Sequence, residues 1–154
     1  MRGVARIESL GRDECLACLA STATGRIAAT QMALPVVFPI RFSMVAGSVV
    51  FSLPPGSPMW AATEDHVVAF EADSGTDNSD CCWTVQVQGV CREVTSPVTA
   101  DSLKDLPLPR WHTSGALDHL MVLRIERISG ERIIWGLAEP SEPDEAPPVA
   151  LRRT

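Results

Sequence analysis

Cys15-Leu16-Ala17-Cys18 is a C-x-x-C pair, the spacing of dithiol redox centres and of half a zinc site. Neither chemistry is complete here. No βαβ pattern precedes the pair, no second C-x-x-C supplies further ligands, and both sulfurs fall on the apolar stripe of a helix. Cys15 and Cys18 therefore read as buried, reduced and chemically quiet, because cysteine commonly serves as a small hydrophobe. Cys81-Cys82, Cys91, His66, His112 and His119 match no zinc spacing, so no metal centre is expected. G-x-S-x-G, H-E-x-x-H, G-x-G-x-x-G and G-x-x-x-x-G-K-[ST] do not occur. Lys104 is the only lysine, which leaves Schiff-base chemistry a single position. No side chain is assigned a catalytic role on these grounds.

The elements that must position any site are mostly strands. Ser9 to Ala20 reads as a helix, with Asp13 and Glu14 in its opening turn to complement the dipole. Arg26 to Thr30 is a short strand. From Val36 to Met44 the apolar period becomes two, with Val36, Phe38, Ile40, Phe42 and Met44 on one face. Pro39 cannot donate to a ladder, so this strand should have one exposed or specially used edge. A turn at Ala46-Gly47-Ser48 leads into Val49 to Leu53, and Pro54 to Pro58 reads as an ordered loop. Val67 to Glu71 and the alternating Trp83 to Val94 are further strands, separated by a polar loop over Thr76 to Asp80. Ser96-Pro97 predicts a helix start before Val98 to Leu106. Leu120 to Ile128 reads as a strand, followed by a turn at Ser129-Gly130-Glu131 and a last strand over Arg132 to Trp135. The sum is a mostly β chain with short helices, whose six to seven mainly antiparallel strands close or nearly close into a barrel.

Composition narrows the partners. The chain has 154 residues, 45% hydrophobic and 21% charged, which suits one globular domain. A net charge of -6 and the lack of any Lys/Arg run argue against nucleic acid. No apolar run reaches the ~20 residues of a membrane helix, so no membrane partner is expected. Five cysteines without an export signal suit a reducing cytoplasm. Residues 1–137 read as the folded domain. Residues 138–154 hold Pro140, Pro143, Pro147 and Pro148 among four acids and read as a mobile tail.

The segments Gly25-Arg26-Ile27-Ala28, Pro35 to Ile40, Gly47 to Ser52, Pro55-Gly56-Ser57, Val67 to Asp73 and Trp83 to Val90 stand in a recognisable order. With the Trp111 segment and Arg124-Ile125, that order resembles the pyridoxamine 5′-phosphate oxidase-like flavin-binding proteins over roughly residues 8 to 135. The resemblance implies a split β-barrel, a homodimer and an FMN-type site at two places along the dimer interface. It implies that the flavin ring lies against Phe38, Pro39, Ile40 and Arg41, with backbone groups addressing its polar edge. It implies a phosphate site at Ser52, Leu53 and Ser57, and an approach to the cofactor by Trp83 and Thr84. The activity implied is transfer of electrons from a reduced nicotinamide cofactor through FMN to a small acceptor. One departure stands out: residues 52–59 contain no Arg or Lys. A phosphate there lacks charge-assisted hydrogen bonds of about 1.5–3 kcal/mol each, which favours weak FMN retention or a different small ligand.

Overall fold

The computed structural model describes residues 5–75, 80–111 and 118–136. Eight strands and three short helices follow in the order β1 (Ala5–Leu10), α1 (Arg12–Ala20), β2 (Thr24–Gln31), β3 (Leu34–Val45), β4 (Ser48–Leu53), α2 (Pro58–Thr63), β5 (His66–Asp73), β6 (Cys81–Glu93), α3 (Pro97–Leu103), β7 (His119–Arg124) and β8 (Arg127–Trp135). Every strand pairing is antiparallel. The order β6-β5-β2-β3-β4-β7 returns to β6, so six strands close a barrel, and β8 and β1 extend the sheet beyond β6. The mostly β, split-barrel expectation is met. The predicted tail over 138–154 lies outside the described residues.

Local sequence explains most elements. β4 is buried at every position from Val49 to Leu53: Val49, Phe51 and Leu53 join the barrel core, and on the other face Ser52 bonds to Pro109 and Trp111. Phe42 and Phe70 meet edge to face inside the barrel, with centroids 4.8 Å apart. In β6 the alternation holds: Val85, Val87, Gly89 and Cys91 are buried while Gln86, Gln88 and Arg92 are exposed. Trp83 packs half-buried against the same core.

Three expectations are corrected. Ser9 and Leu10 belong not to the first helix but to β1, paired with Glu131 and Gly130 of β8. The helix starts after Gly11, whose amide donates to Glu14 Oε2 at 2.9 Å. Pro58 opens a helix rather than ending a loop. Ser57 caps it by accepting from the Met59 amide at 3.2 Å, the same Ser-Pro signal that marks α3 at Ser96-Pro97. Finally, Ser129-Gly130-Glu131 is no turn. It lies within β8, and the chain bends instead at Ile125 and Glu126, which splits the expected Leu120 to Ile128 strand. Gly130 is needed there because a Cβ would stand 2.7 Å from Cys15 Sγ and 3.1 Å from Val85.

The thiols follow the packing. Cys15 is buried under β8, Cys91 is fully buried and Cys82 nearly so, whereas Cys18 is only half-buried, against the expectation for it. Cys15, Cys18, Cys82 and Cys91 are free thiols. Burial raises the pKa of Cys15, Cys18 and Cys82, and pushes Cys91 up to about 12. A raised pKa means less thiolate at any given pH, and the thiolate is the reactive form. At pH 8 a thiol reagent should leave Cys15 and Cys91 untouched in the native protein and label both after unfolding in urea. Rapid native labelling of Cys15 together with Cys18 would revive the redox reading of the C-x-x-C.

Candidate functional site

β3 is longer than β4, and the site lies where they part. Their ladder runs only from Phe42↔Phe51 to Val45↔Ser48. Beyond it, β3 stays with β2, as in Arg41↔Thr24, while β4 continues with β7, as in Ser52↔Leu120. The two strands diverge and leave a notch. Phe42 donates its amide to Ala23 O at 3.0 Å, which turns its backbone groups toward β2. By the alternation of an antiparallel ladder, the Arg41 amide and the Pro39 carbonyl then turn toward the notch. Proline is tolerated at position 39 because no strand pairs with that side of β3 there. The specially used edge expected from Pro39 is this notch.

A cavity of about 370 Å³ fills it, within the range of small-molecule sites. β3 contributes Phe38, Pro39, Ile40 and Arg41 to its lining, and the end of β4 contributes Ser52 and Leu53. Ser57 lines it from the cap of α2, beside Met59. Seven of the nine residues named from sequence thus share one cavity. Thr24, Pro54, Met59, Pro109 and Trp111 also line it, although none of the five was singled out from sequence as a cofactor contact. The last two arrive on a segment whose contacts with β4 span more than fifty residues, as in the bonds of Ser52 to Pro109 and Trp111.

Trp83 and Thr84 lie apart from this cavity. Thr84 faces outward and donates to Glu71 Oε1 at 3.3 Å. Glu71 and Asp73 in turn hold Arg26 Nη1 at 2.7 and 3.0 Å. The Asp73 carboxyl sits below its ordinary pKa, first because the Gly75 amide donates to it and then because Arg26 does. Arg26 is therefore committed elsewhere. Arg41 is different: among the described residues no hydrogen bond or ion pair engages its guanidinium, and it lines the notch. The cation absent from residues 52–59 has a candidate replacement on the neighbouring strand.

The polar groups of the notch have distinct freedoms. Ser57 Oγ accepts from Met59, so its own proton remains available. The Ser52 proton is already committed to Pro109 O at 2.7 Å, and Ser52 Oγ also accepts from Trp111 Nε1 at 3.1 Å. Ser52 as it stands cannot donate to a phosphate oxygen.

α2, which carries Met59 into the wall, is braced from behind. Trp60 donates Nε1 to Glu93 Oε2 at 2.8 Å, His119 Nδ1 meets Glu93 Oε1 at 2.7 Å, and the two rings stack with centroids 5.2 Å apart. With Glu93 on β6 and His119 on β7, this cluster ties α2 to both strands. His66 is likewise occupied, its Nδ1 2.6 Å from Glu64 O, and His112 lies outside the described residues. Among the described residues no three His, Cys, Asp or Glu side chains converge as a metal site.

Comparison with known proteins fits this geometry. The sequence pattern of the pyridoxamine 5′-phosphate oxidase family matches residues 11–132. An uncharacterized protein of Mycobacterium tuberculosis is 30% identical over 133 residues, covering 83% of this chain and 86% of that protein. The structure of an FAD binding protein from Mycobacterium smegmatis superposes with a TM-score of 0.74 at 30% identity, over 84% of this chain and 100% of the other. An FAD-binding protein from Mesorhizobium loti shares the fold alone, with a TM-score of 0.65 at 20% identity, over 82% and 97% of the two chains.

Proposed function

The chain belongs to the pyridoxamine 5′-phosphate oxidase family, and on that premise we propose that its notch binds a flavin, FMN by first choice, and that the protein is a flavin-dependent oxidoreductase. The observation that carries this reading is the convergence of Phe38 to Arg41 with Leu53 and Ser57 on one cavity. The donor set suits a flavin. Phe38, Ile40, Leu53 and Met59 offer apolar walls to a planar ring, and the Arg41 amide and Pro39 carbonyl offer a donor and an acceptor to its polar edge. Arg41 and Ser57 offer a guanidinium and a hydroxyl to a phosphate.

A bound flavin supplies the redox chemistry, passing electrons from a reduced nicotinamide cofactor to a small acceptor. The chain's own residues then need only bind the ring, orient it and keep water from its apolar face. That division of labour suits a site without an acid–base triad.

The homodimer belongs to the same proposal. Val37 and Val67 stand 64% and 70% exposed on the outer sheet face, and Met32 and Leu34 stand 90% and 65% exposed on the β2–β3 hairpin. A twofold mate covering this face would remove that apolar surface from water. Thr84, on the outer side of β6, would then approach the partner's cofactor rather than its own, and a cytoplasmic location suits such an enzyme.

Absorbance titration with FMN, FAD and riboflavin tests the cofactor, and light scattering tests the assembly. A saturable shift of the flavin bands with FMN and a dimeric mass at micromolar concentration are expected. A colourless protein that ignores all three flavins would end the flavin reading in favour of a barrel holding another small ligand.

A further inference from the structure

We propose that Trp111 closes the flavin pocket and sets how tightly the planar ring is held, with Ser52 as its positioning residue. The inference rests on the flavin reading. Its starting point is a tryptophan that is both fixed and bare. Trp111 is 45% exposed, yet its indole Nε1 donates to Ser52 O at 3.2 Å and to Ser52 Oγ at 3.1 Å. Its backbone amide donates to both carboxylate oxygens of Asp118, at 3.1 and 3.0 Å. Ser52 Oγ completes the tie by donating to Pro109 O at 2.7 Å.

The segment from Pro109 to Trp111, both of which line the notch, is thus tied to the end of β4 by hydrogen bonds that each involve a side chain. The hydroxyl at its centre is nearly buried, with Ser52 only 7% exposed. A side chain ordered in advance has already lost its rotamer freedom, so a ligand that lies against it meets no further ordering cost. An aromatic face left partly uncovered beside an apolar cavity matches a flat aromatic partner. Ser52, read from sequence as a phosphate contact, acts here through Trp111.

Ring contact and phosphate contact have separable signatures. An indole beside a flavin ring quenches its emission by electron transfer, so bound FMN should be dim in the wild type. In Trp111→Leu the emission should recover, and the dissociation constants of FMN and riboflavin should rise together by about tenfold, since the lost contact is to the ring. Ser52→Ala should move both quantities in the same direction by less. Ser52→Thr, which keeps the hydroxyl, should restore them. A merely structural Ser52 would lower the melting temperature without changing the emission of bound flavin.

Unchanged affinity and quenching in Trp111→Leu would overturn the assignment while leaving flavin binding intact. Should the wild type bind no flavin, the functional reading falls instead, and the strap is still tested in the unliganded protein. The Trp111 indole N–H should exchange slowly with solvent in the wild type and quickly in Ser52→Ala. Fast exchange in the wild type would show that the strap does not exist.

Discussion

Arg41→Ala is expected to weaken FMN binding about tenfold to a hundredfold while leaving riboflavin nearly unaffected. The range follows from a charge-assisted hydrogen bond to phosphate, about 1.5–3 kcal/mol net, converted at 1.4 kcal/mol per decade. Three observations single out Arg41. Residues 52–59 carry no cation, Arg26 is held by Glu71 and Asp73, and the Arg41 guanidinium has no partner among the described residues. The loss should shrink as ionic strength rises, because an exposed guanidinium is screened by salt. Equal losses for FMN and riboflavin would mean that Arg41 addresses the ring and that the phosphate lies elsewhere. The converse variant is Pro58→Arg, at an exposed position beside Ser57. It should tighten FMN and not riboflavin if the phosphate lies toward α2.

Position 59 shows how the structure redirects that experiment. From sequence, Met59 and Pro58 look equivalent as places for a cation. In the fold Met59 is half-buried against the core and forms a wall of the cavity, so a lysine there would carry its charge into apolar surroundings. Pro58 faces solvent and can be replaced at the cost of a favoured helix-opening residue.

What was legible in the sequence follows the range of the forces involved. β3 and β6 are visible because one face of each is buried, which imposes a period of two over nine or more residues. β1 was hidden because Ile7 is largely exposed and only Leu10 is buried, so its six residues carry no alternation. What makes β1 a strand is pairing with β8, from Ala5↔Trp135 to Leu10↔Gly130, which no local pattern records. Gly130 misled for the same reason. A glycine between polar residues suggests a turn, whereas this one is required by Cys15 and Val85, distant in the chain. In the site, the β3 edge was foreshadowed by Pro39 itself. The strap was not, because its position depends on a hydroxyl 59 residues away from Trp111.

Gly89→Ala is expected to be the most destabilising single-methyl change in the barrel. Gly89 lies where β6 exchanges one partner for another, between Gln88↔Arg127 of β8 and Cys91↔Leu123 of β7. The chain bends over it at that exchange, and Glu126 donates its amide to Gln88 O at 3.0 Å. A Cβ on residue 89 would stand 1.8 Å from the Arg124 carbonyl oxygen and 3.3 Å from the Glu126 amide. Those atoms are backbone, so no rotamer change can relieve the clash and the β7–β8 corner must move. Overpacking costs about 1–3 kcal/mol where side chains can adjust, and a backbone collision belongs at or above the top of that range. For a chain of this size, about 3 kcal/mol corresponds to a fall in melting temperature of roughly 6–12 °C. The damage should reach the cofactor, because β7 pairs with β4 from Ser48↔Arg124 to Leu53↔His119 and so holds Ser52 and Leu53 at the notch. Flavin should therefore be released from the variant at a lower temperature than from the wild type. Gln88→Ala, one residue away on the exposed face, should melt within about 2 °C of the wild type, as an ordinary surface change does. A Gly89→Ala protein as stable as that control would show that the corner has room that the present geometry denies it.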